Sequence, residues 1–122
     1  MWYLTIIFIV IAAICKAVKD TLDFHYYGSV FDNGKPRQWW NPNISWRNKY
    51  KEDLKTPRFF GSTTFLVMFT DGWHLFDFLQ TIFVILAIVL YSKIFCIGID
   101  IVILYLLFTC IFEVFFRVFK SV

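Results

Sequence analysis

The sequence predicts an all-α integral membrane protein, in which three transmembrane helices carry a folded cytoplasmic loop, rich in Trp and basic residues, between the first helix and the second. Hydrophobic residues make up 59% of the 122 residues and charged residues only 17%, which is far from the balance of a soluble domain. Three apolar runs are long enough to cross a bilayer. All three prolines fall between the first run and the second, so no run is interrupted.

The chain length supports a single membrane domain over residues 1–122. We expect helix 1 at residues 2–27, the cytoplasmic loop at 28–62, helix 2 at 63–92 and helix 3 at 94–119. Gly28 is a suitable stop for the first helix, and the Ser and Thr residues after Gly61 are suitable N-caps for the second. At about 1.5 Å per residue the second helix would be about 40 Å long, which exceeds the ~30 Å hydrocarbon core, so one end protrudes or the helix tilts.

The basic residues predict the orientation. Nine of the twelve Lys and Arg lie between Lys16 and Arg58, two more follow the third helix as Arg117 and Lys120, and only Lys93 lies in the short second connection. By the positive-inside rule, the long loop and the C-terminus face the cytoplasm and the N-terminus lies outside. We expect a bacterial inner membrane or an equivalent membrane.

The loop interleaves tryptophan with basic residues, a pattern typical of the lipid headgroup layer. Membrane lipids are therefore the expected partners in preference to nucleic acid, because anionic lipid attracts the same pattern. We predict membrane-interface anchors at Trp39, Trp40, Trp46 and Trp73. We predict headgroup-binding side chains at Arg37, Arg47, Lys49 and Arg58.

The beginning of the second helix carries three ionisable residues within the stretch FTDGWHLFDF. At 100° per residue, Asp71, His74 and Asp77 share a face about 120° wide. A charged side chain inside the bilayer is unfavourable by roughly 2.5 to 3.5 kcal/mol when it has no ion-pair or hydrogen-bond partner. We therefore expect partners on the neighbouring helices.

The other two helices carry polar residues at the same expected depth. The first has Lys16, Asp20, Asp23 and Tyr27 at helical spacing, with His25 just beyond, and the third has Thr109, Glu113, Arg117 and Lys120. Because all three stripes lie near the cytoplasmic ends of their helices, we expect the acidic residues and both histidines to converge there.

Two explanations of this cluster stay open. In the first, a divalent metal such as Zn, Mn, Fe or Mg offsets the repulsion between the acids. The predicted metal ligands are then His25, Asp71, His74 and Asp20, and the predicted catalytic carboxylates are Asp23, Asp77 and Glu113. In the second, the residues form only salt bridges: Asp20 or Asp23 with Lys16, and Asp77 or Glu113 with Arg117. Outside the cluster, Asp100 is expected to pair with Lys93.

Three classes of function follow from this pattern. The leading hypothesis is a hydrolase or transferase that acts on a lipid or lipid-linked substrate at an Asp/His site. The alternatives are an oligomeric channel or membrane-perturbing effector, and a non-catalytic structural subunit of a membrane complex. Three helices shelter polar stripes poorly, so we also expect a homo-oligomer that buries Asp20, Asp77 or Glu113 between protomers.

Overall fold

Helices dominate the computed structural model, which describes residues 2–32 and 36–120 and is 69% helical. The described residues contain no strand. In chain order the helices are α1 (Trp2–Phe24), α2 (Arg37–Trp40), α3 (Pro42–Ser45), α4 (Gly72–Val89) and α5 (Ile97–Lys120). Helices α1, α4 and α5 are each long and apolar enough to cross a membrane. The predicted all-α architecture with three candidate spans is confirmed.

Helix α1 is the central helix, because it packs against both α4 and α5. It contributes the fully buried side chains of Ala12, Ala13, Ala17 and Leu22. The small side chains of the three alanines let the neighbouring helices approach closely. Helix α5, in contrast, buries only Asp100 fully among its residues.

A hydrophobic cluster joins the loop to one end of the bundle. Its buried members are Val18, Leu22 and Tyr26, and the side chains packed against them are Phe31, Trp40, Trp73, Phe76 and Phe119. The loop is also tied to α5 by a hydrogen bond of 3.0 Å from the Val30 N–H to the Phe119 carbonyl. Two of the predicted interface anchors, Trp40 and Trp73, thus pack against the protein itself. We call this end the loop end of the bundle.

Helix α4 begins at Gly72 and not at residue 63 as predicted. Asp71 has an extended backbone and is the N-cap, since its carboxylate accepts a hydrogen bond of 2.8 Å from the His74 N–H. The expected cap near Ser62 is wrong, because the Ser62 hydroxyl donates instead to the Lys49 carbonyl at 2.7 Å. The residues before Asp71 form turns and a short 3-10 helix, Val67–Phe69.

The remaining helix ends also differ from the predicted bounds. Helix α1 ends at Phe24, and Gly28 follows in the left-handed conformation with φ +84°. Helix α4 ends at Val89 and α5 begins at Ile97, so the connection is longer than expected. A non-helical connection leaves its N–H groups free to bond elsewhere.

Asp100 organises the connection between α4 and α5. Its fully buried carboxylate accepts hydrogen bonds from the Ile94 N–H at 2.9 Å, the Phe95 N–H at 3.0 Å and the Tyr91 hydroxyl. The bond to Asp100 raises the pKa of Tyr91 to about 12. Lys93, the predicted partner, is exposed and forms no salt bridge with Asp100 among the described residues, although its charge acts on the carboxylate.

Asp100→Ala should therefore loosen the connection. Without the carboxylate, the N–H groups of Ile94 and Phe95 lose their acceptor, and we expect their amide hydrogens to exchange about tenfold faster or more. Hydrogen exchange measured by mass spectrometry checks this result. Lys93→Ala is the matched control and should leave the exchange unchanged. Equal effects of the two substitutions would show that charge pairing, and not the carboxylate hydrogen bonds, holds the connection.

Candidate functional site

Asp71 lies at the centre of the candidate site, where the loop meets helix α4. Its side chain is only 3% exposed. Its Oδ1 accepts from the His74 N–H and also lies 2.9 Å from the ring nitrogen Nδ1 of His74. Its Oδ2 accepts from the Ser45 hydroxyl at 3.1 Å. One carboxylate therefore caps α4, orients an imidazole ring and holds helix α3 in place.

The surroundings of Asp71 keep its carboxylate ionised. Burial raises the pKa of Asp71, but the hydrogen bonds from the ring and backbone of His74 and from Ser45 outweigh burial, so the pKa lies below its ordinary value. An ionised carboxylate can only accept hydrogen bonds. It follows that the hydrogen in the contact with His74 is on Nδ1.

The other ring nitrogen of His74, Nε2, is then the atom that can take up a proton. In the neutral ring with hydrogen on Nδ1, Nε2 carries the lone pair. It has no hydrogen-bond partner in the part of the chain that the structure describes. The side chain is 27% exposed, and its ring packs edge-on against Trp73 at 5.0 Å between centroids. The arrangement is that of a carboxylate-oriented base.

A small recess adjoins the Asp71–His74 pair. Its volume is about 130 Å³, and it is lined by Asp23, Pro42, Ser45, Trp46, Asp71, Trp73 and His74. At about 30 Å³ per water molecule, it holds about four waters or one small polar group. Lys19 lies 5.7 Å from the Trp73 ring and Arg47 lies 5.3 Å from the Trp46 ring, so a cation flanks each tryptophan. We call this space the Asp71 recess.

A second recess of about 250 Å³ contains His25. Asp23 and Pro42 line both recesses, so the two are neighbours. The ring of His25 packs edge-on against Phe116 of α5 at 5.4 Å. Asp23 therefore lines the space next to the Asp71–His74 pair, and His25 lies beside it in the second recess.

The other predicted acidic residues have partners of their own. Lys16 pairs with Asp20 one turn along α1, as predicted, and Arg117 pairs with Glu113 within α5 at 3.2 Å. Asp77 pairs with Lys19 across α4 and α1 at 2.8 Å.

The predicted partner of Asp77, Arg117, is wrong. The Arg117 side chain points away from the bundle and is 79% exposed. Arg117 pairs with Glu113 of its own helix, and Asp77 pairs with Lys19 of α1.

The four predicted metal ligands do not form one group, because Asp71 contacts His74 whereas Asp20 and His25 lie elsewhere. Within residues 2–32 and 36–120, no three His, Cys, Asp or Glu side chains form a group that could hold a metal ion. Asp71 uses both oxygens for protein donors, Asp20 is paired with Lys16, and His25 lies in the second recess. A divalent metal stays a prediction, and His74 Nε2 and the ring nitrogens of His25 are the imidazole atoms that these contacts leave free.

The predicted headgroup-binding residues spread over the loop. Arg47 flanks the Asp71 recess through Trp46, which is 41% exposed. Arg58 donates from Nε to the Asn48 carbonyl at 2.8 Å and lines a different recess. Lys49 lies 5.6 Å from the Tyr50 ring, Arg37 is exposed in α2, and Trp39 is half-buried against Gly72.

Ser45 is a site residue that the sequence analysis missed. Ser45 lies 26 residues from Asp71, and no local pattern connects the two. Helix α3 positions it, since Asn41 caps this helix by accepting from the Asn43 N–H at 3.0 Å and Pro42 occupies its first turn. An Asn followed by Pro is a recognisable helix start, and that signal predicts the turn but not its partner.

No family model, curated protein or solved structure matches this chain.

Proposed function

We propose that this chain is an integral membrane protein that uses His74 as a general base, as a hydrolase or transferase on a lipid or lipid-linked substrate. The observation that carries the proposal is the pairing of a buried, ionised Asp71 with His74 Nδ1. Such a carboxylate holds the ring in one orientation and favours the positive charge that forms when Nε2 takes up a proton. The Asp71 carboxylate can thus support proton transfer at His74 while it also caps α4.

The surface of the helices supports the membrane location. Large apolar side chains such as Ile99, Val102 and Leu106 are exposed along α5. An apolar surface of this extent is unfavourable in water and matches lipid. The distribution of basic residues favours a cytoplasmic loop and C-terminus in a bacterial inner membrane or an equivalent membrane.

The position of the recess supports a lipid substrate. Asp71 directly precedes a candidate span, so the recess would lie at the level of the headgroups. Trp46 and Trp73 in its wall are residues typical of this layer. Lys19 and Arg47 beside them would attract an anionic headgroup.

The proposed step is the transfer of an acyl or phosphoryl group to water or to a hydroxyl group. His74 Nε2 takes the proton of the attacking O–H as the new bond to carbon or phosphorus forms, and it returns that proton to the leaving oxygen as the old bond breaks. We assign Asp23, which lines the recess, to orienting the attacking group. Ser45 is not the nucleophile in this scheme, because its hydroxyl donates to Asp71 and not to Nε2.

A lipid conversion assay tests the proposal. The purified full chain is reconstituted in vesicles of total bacterial lipid extract, and lipids and water-soluble products are followed by mass spectrometry. We expect the wild type to convert a lipid, and we expect His74→Gln to lower that rate by about 10²- to 10⁴-fold, the usual contribution of a general base. His25→Gln is the matched control and should retain the wild-type rate.

Two results would contradict the proposal. One is the absence of any product that the wild type forms and His74→Gln does not. The other comes from elemental analysis of the same preparations. A stoichiometric metal that is present in the wild type and lost in His74→Gln would assign Nε2 to a metal ion instead of to proton transfer.

A further inference from the structure

Helix α5 turns its polar side away from the other helices. Its inner side includes the buried Asp100 and the half-buried side chains of Leu104, Leu107 and Ile111. The exposed residues on the other side include Val102, Tyr105, Leu106, Thr109, Glu113 and Arg117. We call the surface formed by Tyr105, Thr109, Glu113 and Arg117 the outer face of α5.

The outer face carries groups that lipid does not satisfy. The side chains of Glu113 and Arg117 are 52% and 79% exposed and contact one another at 3.2 Å. Tyr105 is 68% exposed, and its hydroxyl has no hydrogen-bond partner among the described residues. Among the described residues, no other charged side chain pairs with Glu113 or Arg117.

If the chain spans a membrane as proposed above, the exposed Glu113 side chain lies at the depth of the lipid hydrocarbon. Measured from Ile97 at about 1.5 Å per residue, Glu113 lies about 24 Å along the helix, inside a hydrocarbon core of ~30 Å. The contact of Lys16 with the Phe112 ring, at 4.6 Å, agrees with a level well inside α1. Ionised residues at such depth face protein or water and not lipid.

We propose that the outer face of α5 is the interface of a homodimer. Two copies with the same orientation in one membrane are related by a twofold axis along the membrane normal, which sets the two α5 helices side by side at the same level. Glu113 and Arg117 lie one turn apart, so each Glu113 can then pair with the Arg117 of the other copy. Thr109, a small residue between Tyr105 and Glu113, lets the two helices approach.

Charge complementarity identifies the occupant as a second copy. An anionic lipid would satisfy Arg117 and would repel Glu113. Within one chain Glu113 and Arg117 pair with each other. The second copy adds a further base for each acid, and the contact closes after two chains. The other acids that were expected at a subunit interface, Asp20 and Asp77, pair with lysines of α1 and are less exposed than Glu113, at 19% and 45% against 52%.

Energy transfer between labelled full-length chains in vesicles tests the dimer and yields its dissociation constant. We expect the wild type to dimerise, and we expect Glu113→Arg or Arg117→Glu alone to raise the dissociation constant about tenfold or more, because like charges then meet. The double variant, Glu113→Arg with Arg117→Glu, should regain the wild-type value. Its recovery would show that the single variants fail by repulsion and not by misfolding.

A pair of bulky substitutions locates the interface independently of charge. Thr109→Trp should abolish the dimer, since the indole would hold the two α5 helices apart. Val114→Trp is the matched control on the same helix, because Val114 is also exposed but lies on the flank of the outer face. It should dimerise as the wild type does.

A monomeric wild type would overturn the proposal. So would wild-type affinity in both single charge variants, failure of the double variant to recover, or equal effects of the two Trp substitutions. These outcomes do not depend on lipid conversion, so a failure of the proposed reaction and a failure of the dimer are separate results.

Discussion

Asp71→Ala should lower the free energy of unfolding by about 1 to 3 kcal/mol, whereas Asp71→Asn should lower it much less. Alanine removes the cap of α4 and leaves the Ser45 hydroxyl without its acceptor. Asparagine caps helices about as well as aspartate, so its side-chain oxygen can still accept from the His74 N–H. Denaturant unfolding of the purified chain in detergent, followed by circular dichroism, measures both effects.

The same pair of variants separates the structural role of Asp71 from its chemical role. Asp71→Asn should retain the fold but lose most of the lipid conversion that we propose, because a neutral amide does not stabilise the imidazolium form of His74. Equal stability losses in Asp71→Ala and Asp71→Asn would contradict the capping role. Full activity in Asp71→Asn would contradict the chemical role.

The pH dependence of stability gives a further check on Asp71. Its pKa is lower in the folded protein than the value of about 3.9 in an unfolded chain. Its contribution to stability is therefore complete above about pH 4 and is lost as the pH falls through the folded pKa. Asp71→Asn cannot titrate at this position, so the stability difference between wild type and Asp71→Asn should shrink below about pH 4. A constant difference would show that the ionised form contributes nothing.

Gly72→Ala should destabilise the protein by about 1 to 3 kcal/mol, although alanine is the better helix former by up to about 1 kcal/mol. A Cβ at Gly72 would meet Cε3 of Trp40 at 3.0 Å and Nε1 of Trp39 at 3.2 Å. The Trp40 ring cannot easily withdraw, because it stacks on Phe31 at 5.1 Å and lies 6.2 Å from Phe76. Overpacking should therefore outweigh the gain in helix propensity.

Gly98→Ala is the matched control for this effect. Gly98 also lies in the first turn of a helix, but a Cβ there meets nothing within 4 Å. This substitution should be neutral or stabilising by up to about 1 kcal/mol. If the two alanine variants unfold at the same denaturant concentration, the contact of Gly72 with Trp40 is not a tight one.

The part of the candidate site that the sequence predicted was the part that depends on local spacing. Asp71 and His74 are three residues apart, so the helical pattern alone brings them to one face. The ion pairs one turn apart, Lys16 with Asp20 and Glu113 with Arg117, follow from the same spacing. The start of α4 was misplaced, because Ser62 and Asp71 are both good caps and only the path of the loop selects between them.

By itself, the sequence determined that the chain forms three long apolar helices with a polar loop after the first. The length and spacing of apolar residues are local properties, and they hold whatever the helices pack against. The tertiary structure decided which polar groups meet. The rotation of each helix about its axis depends on packing around the small residues of α1, so Asp77 meets Lys19 and Arg117 faces outward. The loop path brings Ser45 to Asp71 across 26 residues, a contact that no local pattern specifies.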